Sequence, residues 1–169
     1  MKLTSKHIVL MTFAIITLPD VLCALNEFQF QPDNFSQITL ENISNVSDVK
    51  EGSASITLLI NGTDNNAVIT ADNSETARLT NGTDTLVTEY KLTLDGDGTA
   101  NTNKSGGTSM SEYASYDSFL SDGLNIQRVA SDDDISVTLY VRASNRAANA
   151  SDSGTYSATQ TLTIAWDGL

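Results

Sequence analysis

Side chains able to do acid–base, nucleophilic or metal chemistry are few in this 169-residue chain, and poorly placed for it. The only histidine is His7 and the only cysteine is Cys23. Both fall in an N-terminal segment expected to be removed. Without them the remaining chain can build no Ser–His triad, no histidine-bound zinc site and no thiol nucleophile. Carboxylates are plentiful. Asp95-Gly96-Asp97-Gly98-Thr99-Ala100-Asn101 sets oxygen atoms at alternate positions as a calcium loop does, with Asp95 and Asp97 the candidate ligands. An EF-hand also closes with a bidentate glutamate between flanking helices; Gly106 stands at that place. The stretch therefore reads as turn material between strands, and no metal or cofactor is expected. Asp132-Asp133-Asp134 reads as a solvated turn for the same reason. The acids cluster with Gly, Ser and Asn, not in apolar surroundings that raise a carboxyl pKa for general-acid work. No enzymatic activity is expected.

Lys2 and Lys6 lead into the apolar run Ile8 to Leu18, and Leu22-Cys23-Ala24 follows. A charged start, a short apolar stretch and a small-residue end describe a secretory leader. The run falls short of the roughly 20 apolar residues a spanning helix needs. Cys23 is preceded by Asp20-Val21-Leu22, which does not suit an acylated lipoprotein cysteine, so cleavage is expected after Ala24. Residues 1–24 are then leader, 25–36 an N-terminal extension and 37–169 one β-domain. No later segment reads as a membrane span. With Cys23 lost the domain has no disulfide, and packing and β-pairing must hold it.

Formal net charge is −12, and the loss of Lys2, Lys6 and Asp20 takes it to −13. Such a surface repels phosphate backbones, so nucleic acid is not an expected partner. Acidity of this kind suits solubility outside the cell.

Elements that would position any site come from a period-2 pattern. Ser53 to Ile60, Thr88 to Leu94, Ile135 to Val141 and Thr155 to Trp166 alternate Thr, Ser and charged residues with Val, Ile, Leu and Tyr. Half-buried antiparallel strands have this signature. Asn61-Gly62, Asn81-Gly82, Asp95-Gly96-Asp97-Gly98 and Ser105-Gly106-Gly107 separate the strands with residues that tolerate positive φ. Several short strands divided by turns predict an all-β sandwich. Residues 96–118 read as a long polar loop, and Ser118 to Leu124 as one short helical turn. In the last strand Tyr156, Ala158, Leu162, Ile164 and Trp166 share one parity, interrupted only by Gln160, and the other parity is mostly threonine. An amphipathic strand this long must be paired on both edges or become a sticky one.

The ending Ser153-Gly154-Thr155-Tyr156-Ser157-Ala158-Thr159-Gln160-Thr161-Leu162-Thr163-Ile164-Ala165-Trp166 resembles the final strand of chaperone–usher pilins of the spore-coat-U-like and alternate classes. Ala77 to Leu86 leading into Tyr90 to Asp95, and Ile135 to Val141 ahead of Gly154, are similar to the middle and penultimate strands of that domain. The likeness spans about three-quarters of residues 25–169. Spore-coat-U-like subunits usually carry an early disulfide, and this chain has Ile60-Asn61-Gly62-Thr63 where such a cysteine is expected.

The resemblance implies an immunoglobulin-like antiparallel sandwich of the incomplete pilin type, which a donor strand completes. It implies further that the strand comes first from a periplasmic chaperone and then, at an outer-membrane usher, from the N-terminal extension of another copy or a related pilin. Tyr156, Ala158, Leu162, Ile164 and Trp166 would line the groove. Phe28 and Phe30, on one parity of Leu25-Asn26-Glu27-Phe28-Gln29-Phe30, would be the donor anchors. The alternative is that 25–36 is a loose terminus or pairs within its own domain. The implied role is a structural subunit of a surface fimbria, secreted through the periplasm and serving adhesion or biofilm formation. A free secreted β-sandwich module that binds carbohydrate or a surface is the other reading. Asn34, Asn42, Asn45, Asn61, Asn81, Asn103 and Asn149 each begin an Asn-x-Ser/Thr triplet; the bacterial origin implied by the resemblance makes these incidental.

Overall fold

Alternating side chains sort the strands into sheets that share one interior. The computed structural model describes residues 8–11, 27–61, 66–96, 98–100, 112–128, 135–146 and 153–166. In chain order the strands are β1 (Ile8–Met11), β2 (Glu27–Gln31), β3 (Thr39–Leu40), β4 (Val49–Asn61), β5 (Asn66–Ala71), β6 (Val87–Gly96), β7 (Gly98–Ala100), β8 (Ala114–Ser115), β9 (Leu124–Arg128), β10 (Ile135–Ser144), β11 (Tyr156–Ala158) and β12 (Leu162–Trp166). A single 3₁₀ turn, Glu75–Ala77, lies between β5 and β6.

One antiparallel sheet runs β2-β4-β10-β6-β8 and a second runs β12-β5-β9-β7. At the centre of the first, Leu139 of β10 sits opposite Ala54 of β4 and Leu92 of β6. Val137 sits likewise between Ile56 and Leu94. Inward positions of β10 are all buried, and outward ones hold Ser136, Thr138, Tyr140 and Arg142. Across the interior, Ile69 of β5 pairs with Leu124 of β9 on one side and Ile164 of β12 on the other. Both sheets feed one continuous apolar cluster, the arrangement of a β-sandwich. The chain is all-β, with antiparallel sheets, as the alternation predicts.

Four features depart from the sequence reading. The terminal strand is not continuous. It divides at Thr159–Thr161, because the Thr159 N–H turns to the Thr76 carbonyl (2.7 Å) and the Thr161 carbonyl accepts from Asp72 N–H (2.8 Å). The stretch 96–118, expected as loop, contributes the short strands β7 and β8. The third departure is at the N-terminus, where residues 8–11, read only as leader, form β1. Finally β2, which carries Phe28 and Phe30, is no free extension but the edge strand on β4, with Phe28 opposite Ile60 and Phe30 opposite Leu58.

Candidate functional site

A seam beside the C-terminal strand is filled by β1. β1 lies between β11 and β3. It runs parallel to β11, with Ile8 opposite Tyr156 and Met11 opposite Ala158. On its other edge it is antiparallel to β3, with Ile8 opposite Leu40 and Val9 opposite Thr39. Among the described residues β1 alone, part of the expected leader, bridges these two strands.

Local sequence explains how the walls are held. On the far side of β11, Ser157 exchanges both main-chain bonds with Thr80, at 3.0 and 2.9 Å. Thr80 opens the Asn81-Gly82 turn. There the Asn81 side-chain oxygen accepts from the N–H groups of Thr83 and Asp84 (2.9 and 2.7 Å), while Gly82 supplies a φ of +94°. The Asn81 amide also donates to the Tyr156 hydroxyl at 3.2 Å, tying turn to strand. The opposite wall, β3, is seated close to β4 because residue 52 is glycine. A Cβ there would stand 2.7 Å from Ile38 Cγ2 and 2.8 Å from Leu40 Cδ2.

Of the predicted groove residues, Tyr156, Ala158 and Leu162 are buried and Ile164 is partly buried against the core. The Trp166 backbone pairs with Ala67; its side chain lies outside the described residues, as does that of Phe28. Phe30 is buried in the core of its own domain. β12 is paired on one edge only, to β5, among the described residues, and β2 comes within contact distance of it. Asp95 falls within β6 opposite Ser136, and Asp97 lies outside the described residues. Among the described residues no group of three or more His, Cys, Asp or Glu could hold a metal ion, and no helix is long and apolar enough to cross a membrane.

Gln160, seen in the sequence only as an interruption, has 0% exposure. Its amide nitrogen reaches the neighbouring Thr161 carbonyl at 3.3 Å, and its side-chain oxygen has no hydrogen-bond partner among the described residues. The side-chain oxygen of Asn73 is likewise buried without a donor. The Asp72–Thr161 and Thr76–Thr159 bonds bring its loop to the same strand break.

A second cluster, missed in the sequence because three strands and a loop assemble it, covers the outward face of the β4-β10-β6 sheet. Arg142 grips Glu89 through two bonds, Nε to Oε2 at 2.9 Å and Nη2 to Oε1 at 2.8 Å. Its guanidinium lies 4.1 Å from the centre of the Tyr113 ring, and Lys91 Nζ lies 4.9 and 4.7 Å from the rings of Tyr113 and Tyr140. Burial, then the nearby Glu51 carboxylate, pushes the Tyr113 phenol up to about 12. The Glu89 bonds raise the Arg142 pKa, so the cation is fixed. The only sequence signal was the alternation Glu89/Lys91 against Tyr140/Arg142.

Set against known proteins, the chain matches no family model and no curated sequence.

Proposed function

We propose that this chain is a structural subunit of a bacterial surface fibre, an incomplete immunoglobulin-like sandwich of the pilin type. It assembles by exchange of β-strands between copies after handling by a periplasmic chaperone and an outer-membrane usher, and serves adhesion or biofilm formation. One observation carries the reading. The strand that closes the seam between β3 and β11 belongs to a segment expected to be cut away on export. Once it is gone, the Tyr156–Ala158 edge loses its partner and joins the edge of β12, which has no second neighbour among the described residues; together the two span about 35 Å at strand rise. An edge that long and amphipathic has to be covered, and an extended segment from another molecule covers it with main-chain bonds and alternating apolar side chains.

Residues 25–36 are the donor segment in this reading. Among the described residues β2 has one hydrogen-bonded neighbour, β4, so it can leave by giving up a single ladder. Each Phe seated in a neighbour's groove contributes roughly 1.5–3 kcal/mol, which for Phe30 offsets its loss from the parent core. The test is deletion of residues 25–36 followed by electron microscopy of the cell surface. Loss of fibres with the protein still exported is the expected result; normal fibres sink the donor assignment.

A secreted binding module is the second reading, favoured by the half-buried Tyr113, Tyr140, Lys91 and Arg142 cluster, since aromatic faces beside fixed charges suit sugar or surface contacts. A chain starting at Leu25 that is a stable monomer and binds glycans through Tyr113 and Tyr140 would establish it in place of the fibre.

A further inference from the structure

We infer that Gln160 sets the register of the strand that closes the seam by accepting a hydrogen bond from one of its side chains, and that the occupant is the N-terminal segment of a second copy with Asn26 facing Gln160. This rests on the strand-exchange reading above.

Gln160 occupies an inward position between Ala158 and Leu162, both buried. Its amide is fully enclosed, yet the oxygen finds no donor among the described residues. A buried acceptor left unpaired lowers stability, whereas an apolar side chain of similar shape at that position carries no such penalty. The penalty disappears if the incoming strand brings a donor. Asn73 presents a second buried, donorless oxygen on the connection that bonds the opposite edge of this strand, so Gln160 is the acceptor that an occupant of the seam can reach.

Position along the strand explains why one polar site is useful. Apolar seats on either side of Gln160 accept a strand shifted by two residues nearly as well as one in register. A single buried polar residue makes every shifted pairing costly, the means by which a lone buried Asn fixes coiled-coil register. The matching strand must carry a hydrogen-bonding side chain followed by apolar residues two and four places on. Asn26, Phe28 and Phe30 have that spacing, and it holds for either strand direction.

The experiment uses the full chain exported by cells, with fibre yield measured after shearing. Asn26→Leu and Gln160→Leu should each lower yield about tenfold, and the double variant should recover most of it, because replacing both partners removes the unpaired acceptor. Asn26→Ser, which keeps a donor, should also recover most of the yield. The Asn26→Cys/Gln160→Cys pair should give disulfide-linked ladders, and the out-of-parity pair Glu27→Cys/Gln160→Cys should not. Should Gln160→Leu fail to fold, the Asn26 arms decide alone. Fibres that require residues 25–36 but ignore Asn26→Leu overturn this inference only, leaving an internal water as the partner of Gln160. Fibres that form without residues 25–36 overturn the exchange reading itself.

Discussion

The Tyr90 hydroxyl donates to the carbonyl oxygen of Ala77 at 2.5 Å, deep within the interior. Tyr90 belongs to the central sheet, and Ala77 ends the 3₁₀ turn on the connection from β5 to β6. The bond therefore fastens that connection, which also carries Thr76 and Thr80, the partners of the C-terminal strand. Tyr90→Phe keeps the ring against Phe119, 5.3 Å between centroids, but strips the buried Ala77 carbonyl of this donor. A loss of about 1–3 kcal/mol follows from an unpaired buried acceptor. Urea denaturation should show a lower midpoint at unchanged slope; an unchanged midpoint would mean that the bond contributes nothing.

Alkaline pH should act through the same residue. Burial pushes the Tyr90 phenol well above its ordinary value of 10.0. In the unfolded chain Tyr90 ionises near that value, while in the folded chain it stays protonated, so the folded state holds more protons. Stability from this group is whole below pH 10 and is lost as pH rises toward the folded pKa. Tyr113, raised to about 12, adds to the same trend. The midpoint of urea unfolding should fall above pH 10, and Tyr90→Phe should flatten that slope. An equal slope in parent and variant would contradict the burial of the phenol.

Gly52 is the place where β3 meets β4, and Gly52→Ala tests whether the seam wall depends on that approach. The added Cβ comes within 2.7 Å of Ile38 Cγ2, which cannot swing away without changing χ1. Overpacking of this kind costs about 1–3 kcal/mol. The pairing of Gly52 with Val141 leaves the central sheet in place, so the strain should fall on β3. Amide hydrogen exchange should accelerate at Thr39 and Leu40 more than in β10; uniform acceleration would assign the effect to the whole sheet.

Alternation made the central strands legible. Ile135, Val137, Leu139, Val141 and Ala143 turn inward with polar residues between them, because a sheet with one wet face separates the two parities. The same rule put Tyr156, Ala158 and Leu162 on one face. Parity says nothing about which strand lies alongside. That is why Phe30 could be assigned a face but not β4 as its neighbour, and why the apolar run at Ile8–Met11 carried no sign of pairing with β11 and β3. The break at Gln160 depends on backbone groups of Asp72 and Thr76, some eighty-five residues earlier in sequence by rough count. β7 and β8 are two or three residues long, too short for a period to appear.

Whether the seam is structurally important can be decided by comparing the full chain with one that begins at Leu25. β1 has a hydrogen-bonded neighbour on each edge, so its loss leaves two strand edges unpaired beside the buried Leu40, Tyr156 and Ala158. Even one apolar side chain's worth of burial is about 1.5–3 kcal/mol, a large part of the stability of a small domain. The shortened chain should unfold at lower urea and self-associate in size-exclusion chromatography. A synthetic peptide of residues 1–24 added during refolding should restore both properties, since it returns the missing strand without the covalent link. Were the two chains equally stable monomers, with or without the peptide, β1 would be a passive covering. Exposure of the β3 and β11 edges could then drive no association, because an edge that costs nothing to leave open gives a second molecule nothing to gain by covering it.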